Sequence, residues 1–112
     1  MFFGCSKLKE INVSKFNTTN CENIYGIFQK CSSLESIDML NWDMKNINNI
    51  DYLFFICSKL KNIKMNFNNN KKLSFGGIFL GLPKDGSFVY KKGNNCEKLL
   101  KKLPKSWKIT QE

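Results

Sequence analysis

Arginine, histidine and alanine do not occur in this 112-residue chain, and proline occurs twice. Each absence removes something. Without arginine there is no planar guanidinium fork for bidentate contacts to phosphate or guanine, which weighs against nucleic-acid recognition. Without histidine the chain lacks the usual general base and the commonest metal ligand. No apolar run approaches the roughly 18 to 20 residues of a membrane-spanning helix, so no span is expected. Met1 to Cys5 are not preceded by the basic region and apolar core of a signal peptide.

Lysine, asparagine, isoleucine and phenylalanine fill the space instead. All 18 basic residues are lysine, against 9 acidic ones, for a formal charge of +9. Such an alphabet matches the coding bias of an A+T-rich genome, so a solvated lysine surface accounts for the charge without a polyanionic partner. The alternative, a binder of nucleic acid or glycosaminoglycan, rests on the pairs Lys71-Lys72, Lys91-Lys92 and Lys101-Lys102. Apolar content is ordinary, and the length leaves room for one domain with a small core.

The strongest signal is self-similarity. Cys5, Cys31 and Cys57 fall 26 residues apart, as do Leu8, Leu34, Leu60 and Ile11, Ile37, Ile63. Val13, Met39 and Met65 keep the same step, and Phe16 shares a position with Trp42. A fixed period in this range is the mark of repeat architectures, whose units bury their apolar faces only by stacking. Residues 1–112 read as a single repeat domain, with repeats 1–26, 27–52 and 53–77 and a capping region 78–112. Met1 aligns with Ile27 and Leu53, in the middle of a unit. The chain therefore reads as the C-terminal piece of a longer array or a truncated product, with an unpaired strand edge near Lys9 to Val13 that favours self-association.

Within a unit two periods alternate. Cys21, Ile24, Phe28 and Cys31 follow i, i+3, i+7, i+10, as do Ile47, Ile50, Phe54 and Cys57. This spacing predicts one face of a helix. After each such stretch, Ile11/Val13, Ile37/Met39 and Ile63/Met65 alternate at period two and predict short strands. A strand, a crossover helix and another strand make a parallel unit. The expected fold is therefore α/β: a solenoid with a parallel sheet of about five short strands on one side, helices on the other and a C-terminal cap.

The third unit is irregular and one residue shorter, with Leu73, Phe75, Ile78 and Phe79 as its apolar face. Phe88 and Tyr90 lie 25 residues after Ile63 and Met65 and predict a fourth strand. In the cap, Asn95 can start a helix whose inner face is Cys96, Leu99, Leu100 and Leu103, ended by Pro104. Trp107 and Ile109, 19 residues after Phe88 and Tyr90, predict a fifth strand.

On these residues the chain resembles the BspA-like leucine-rich repeat family, whose surface-protein repeat of about 25 residues also occurs in mycoplasma-type lipoproteins. The family's pattern stands here as Met1-Phe2, Cys5, Leu8, Ile11, Val13-Ser14 and Phe16-Asn17-Thr18. It returns as Phe28, Cys31, Leu34, Ile37, Met39 and Trp42-Asp43. The ending, Gly81-Leu82-Pro83, Gly86-Ser87-Phe88 and Leu103-Pro104 before Trp107, is similar too. The resemblance implies a leucine-rich-repeat solenoid, cell-surface or secreted, that binds host or partner proteins as part of an adhesin-like protein. It brings no catalytic residues and no cofactor.

The residues themselves point to no enzyme. Cys5, Cys31 and Cys57 replace apolar positions and read as small buried hydrophobes, since neither a zinc-type pair nor a histidine base accompanies them. No two acidic residues recur as a convergent pair for acid/base work. What the architecture offers is recognition of a protein partner by the outward side chains of the strands. The candidates are Glu10, Asn12, Ser36, Asp38, Asn62, Lys64, Val89 and Lys108.

Overall fold

The computed structural model describes residues 10–11, 20–68, 72–93 and 96–112, the first pair by backbone alone. Five strands run in chain order: β1 (Glu10–Ile11), β2 (Ser36–Met39), β3 (Asn62–Asn66), β4 (Ser87–Lys91) and β5 (Lys108–Gln111). They form one sheet in the order β1-β2-β3-β4-β5, every neighbour parallel. Ile11, Ile37, Ile63 and Phe88 occupy matching positions on successive strands, as the 26-residue and 25-residue steps require. Ile37, Ile63 and Phe88 are buried. Met39 and Met65 repeat the pattern one pleat further on.

The other side of each unit is not helical. The expected helices over Cys21 to Cys31 and Ile47 to Cys57 are turns, and the one α-helix among the described residues is α1 (Cys96–Leu100) in the cap. The cause lies in the backbone. Gly26 and Lys30, then Tyr52 and Ile56, then Gly77 and Gly81 all have positive φ, between 56° and 86°. A left-handed residue at every fourth position stops a right-handed helix from propagating, because successive N–H groups no longer point along one axis.

Those N–H groups are used in another way. In the first described turn the N–H groups of Ile24, Gly26, Phe28 and Lys30 donate to the carbonyls of Asn49, Asp51, Leu53 and Phe55 in the next unit. The intervening Ile27, Gln29 and Cys31 donate locally, to Ile24, Gly26 and Phe28. The second turn repeats this: Ile50, Tyr52 and Ile56 reach forward to Ser74, Gly76 and Leu80, while Leu53, Phe55 and Cys57 bond back to Ile50, Tyr52 and Phe54. Each unit is thus tied to the next by two parallel ladders, one of strands and one of turns.

Between the ladders lies the core. Phe28, Phe54 and Phe79 stack nearly parallel, with centroids 6.0 and 6.4 Å apart and planes within 8°. Phe88 closes the column edge-on at 5.8 Å from Phe79. Leu34 and Leu60 are fully buried, and Trp42 roofs the end of the core, 6.3 Å from Phe28. The expected Phe16 counterpart, Cys5 and Val13 lie outside the described residues.

The cap is built as its sequence suggests in one part and differently in another. Cys96, Leu99 and Leu103 are buried, with Leu100 packed at the margin. The fifth strand, however, is two residues out of the expected register: Phe88 pairs with Ile109, not Trp107. Trp107 stands just before β5, buried, and its Nε1–H donates to the Pro83 carbonyl at 2.9 Å. That bond fixes the indole beneath the start of β4, and Lys108 N–H then donates to Gly86 O to begin the pairing. Ile109 is left 43 % exposed.

Candidate binding face

Alternation along parallel strands sends every second side chain away from the core, and equal register places those side chains in rows. One row runs Ser36, Asn62, Ser87, Lys108, with Glu10 paired to Ser36 at the β1 edge. A second runs Asp38, Lys64, Val89, Thr110. Asp38, Asn62, Lys64 and Lys108 are exposed, and Ser36 and Val89 half-buried. Asn12 lies outside the described residues, as does the Glu10 side chain.

The structure therefore brings together six of the eight expected face residues as described side chains, and it adds Ser87 and Thr110. Ser87 could have been found by the same 25-residue step from Asn62. Thr110 was hidden by the misassigned register of β5. A third pair, Asn66 and Lys91, extends the face at the far end of β3 and β4.

Charge changes sign across these rows. Asp38 on β2 lies beside Lys64 on β3, and Lys91 and Lys108 continue the basic side on β4 and β5. The Asp38 carboxylate is partly committed, since its Oδ1 accepts the N–H of Leu40 at 3.0 Å and shapes the turn that leaves β2. Opposite charges at one register present a polarised surface. Where β3 and β4 begin, Lys61 and Lys84 flank an open cleft of about 450 Å³ that also contains Asp85.

Two of the three repeat cysteines, Cys31 and Cys57, belong to the core. Cys31 and Cys57 are fully buried, and the Cys57 thiol donates to the Phe28 carbonyl at 2.9 Å. Burial pushes the Cys57 pKa from 9.0 up to about 12, against a hydrogen bond to the Cys31 backbone that lowers it and a lesser Cys31 charge effect that raises it. A thiol held neutral in this way is a poor nucleophile. Among the described residues no cluster of three or more His, Cys, Asp or Glu could hold a metal ion, and no helix is long and apolar enough to cross a membrane.

A family described as "Mycoplasma protein of unknown function, DUF285" matches residues 1–85, which span β1 to β3 and all the turn segments. No curated protein and no solved structure matches the chain.

Proposed function

We propose that this chain, which belongs to the DUF285 family of Mycoplasma proteins, is a stretch of leucine-rich-repeat solenoid acting as a non-enzymatic protein-binding module. On this reading it is the C-terminal part of a BspA-like, surface or secreted, adhesin-like protein. The observation that carries the reading is the pair of outward rows on the parallel sheet, with Asp38 and Lys64 side by side and serine, asparagine and threonine around them. Short polar side chains on a regular backbone cost little entropy to order against a partner. A sign change across the face would fix the partner's orientation.

The test is binding of the purified chain to a panel of immobilised extracellular proteins at about 0.15 M and about 1 M salt. Binding that persists at high salt and is lost in the exposed double variant Asp38→Lys with Lys64→Glu supports the reading. Binding untouched by that variant, with circular dichroism unchanged, would sink it.

A second reading, polyanion binding, draws on the approach of Lys61 and Lys84 at one cleft, with Lys108 on the strand beyond. The lysine pairs marked in the sequence do not share that cleft: Lys91 ends β4 with Lys92 after it, and Lys101-Lys102 follow α1. Lys71 lies outside the described residues. Retention on heparin with a steep salt slope, lost in Lys61→Glu with Lys84→Glu, would favour this reading over the first.

A further inference from the structure

The turn ladder stops abruptly. In the first turn four alternate N–H groups donate to carbonyls of the following unit, and in the second three do, Phe54 being the exception. By the 25-residue step, their equivalents in the third turn are those of Phe75, Gly77, Phe79 and Gly81. None of these four N–H groups has an acceptor among the described residues. Of the other N–H groups in this turn, Ser74 and Leu80 donate to Asn48 and Gly77, and Gly76 to the Asp51 carboxylate at 2.6 Å.

Among the described residues no further turn of this kind follows the third, and the chain passes through β4 into the cap. Its helix α1 uses carbonyls internally, as Leu99 and Leu100 do towards Lys102 and Leu103. The donors of the third turn thus end the ladder without acceptors among the described residues. Beside that rung lies a cleft of about 640 Å³, lined by the turn from Leu73 to Leu80 together with Lys72 and Lys102. Leu80 is 58 % exposed there and Phe75 half-buried.

We infer that this cleft binds a short acidic peptide, laid along the third turn as an added rung. Its chemistry follows from what lines the site. Donors without acceptors require a ligand rich in carbonyl oxygen, spaced at alternate residues as in the rungs already present. Lys72 and Lys102 require negative charge, and Phe75 and Leu80 accept small apolar side chains between the carboxylates. This is the turn-ladder counterpart of adding a strand to an open sheet edge, with backbone bonds giving affinity and pockets giving choice. The site lies on the turn side of the molecule, so it stands or falls independently of the sheet face.

The probe is the acetylated, amidated peptide Asp-Val-Asp-Val-Asp, titrated into the isotope-labelled full chain and followed by amide chemical shifts. Phe75, Gly77, Phe79 and Gly81 are expected to shift, with Ser74, Gly76 and Leu80 nearly still. Lys72→Glu combined with Lys102→Glu, both at exposed positions, should weaken binding roughly tenfold or more with circular dichroism unchanged. The serine counterpart Ser-Val-Ser-Val-Ser should also bind more weakly. Shifts confined to β2–β5, or no shift at millimolar peptide, would overturn the proposal. So would shifts of the same four amides with protein concentration alone, which would make a second copy of the chain the occupant.

Discussion

Ile56 and Gly81 face each other across adjacent turns, both with positive φ (56° and 86°), so close that a Cβ built on Gly81 would stand 2.8 Å from the Ile56 Cα. One is β-branched and strained, the other has no side chain to spare. The hydrogen bond from Ile56 N–H to Leu80 O, at 2.8 Å, holds the strained residue where it is.

This pair gives two opposite expectations. Gly81→Ala adds a methyl group against backbone at a left-handed residue and should cost about 1–3 kcal/mol. Ile56→Gly removes a left-handed penalty of about 1–2 kcal/mol while losing a partly exposed side chain and loosening the unfolded chain, so it should be near neutral or mildly stabilising. Denaturant melts of both variants check this. A marked loss on Ile56→Gly would mean that its side chain, not its backbone, holds the turn.

Phe54 lies between Phe28 and Phe79 in the ring column and is fully buried. Phe54→Ala should lower stability by about 3–5 kcal/mol, and Phe54→Leu by distinctly less. Urea unfolding followed by far-ultraviolet circular dichroism measures both.

Cys57 links stability to alkaline pH. Its folded pKa is about 12 against 9.0 for the ordinary thiol, so the unfolded chain loses this proton first. Its contribution is constant below pH 9.0 and falls as pH rises from there towards 12, because the folded state keeps a proton that the unfolded state has released. Thermal melts across that range should show a steeper decline for the wild type than for Cys57→Ala. In the native state at pH 8, thiol reagents should modify half-buried Cys21 well before Cys31 or Cys57.

Trp107 reports on the cap. A Cβ on Gly86 would collide with its indole ring, so Gly86→Ala should displace the ring, break the bond to Pro83 and shift tryptophan emission to longer wavelength. Trp107→Phe loses that bond and part of the buried ring system, at a cost of about 1–3 kcal/mol.

What the sequence made legible follows from which interactions leave a trace in it. The strand register from Ile11 to Phe88 was readable because burial repeats at 26 and 25 residues and little else satisfies both steps. The turns were misread as helices because spacings of three, four and three place Ile24, Phe28 and Cys31 inward in either structure. Only φ separates the two, and its trace in the sequence is partial: Gly26, Gly77 and Gly81 hint at left-handed backbone, whereas Lys30, Tyr52 and Ile56 conceal it. The register of β5 failed for a related reason. Trp107 looked like a strand residue by hydrophobicity, yet its indole N–H goes to Pro83 and the strand begins one residue later. Most of the outward face was found because the pleat alone determines it.

A chain stitched to its neighbour along both flanks resists shear between units far better than it resists loss of an end unit. Removing the outermost copy breaks one row of backbone bonds on each side and leaves the remainder as it was. Under tension such a molecule would shed whole copies in sequence, each releasing about 90 Å of chain from 26 residues. Lengthening or shortening by complete copies would preserve the joint, whereas a single inserted residue within Ile24 to Lys30 would put every bond of that turn out of step.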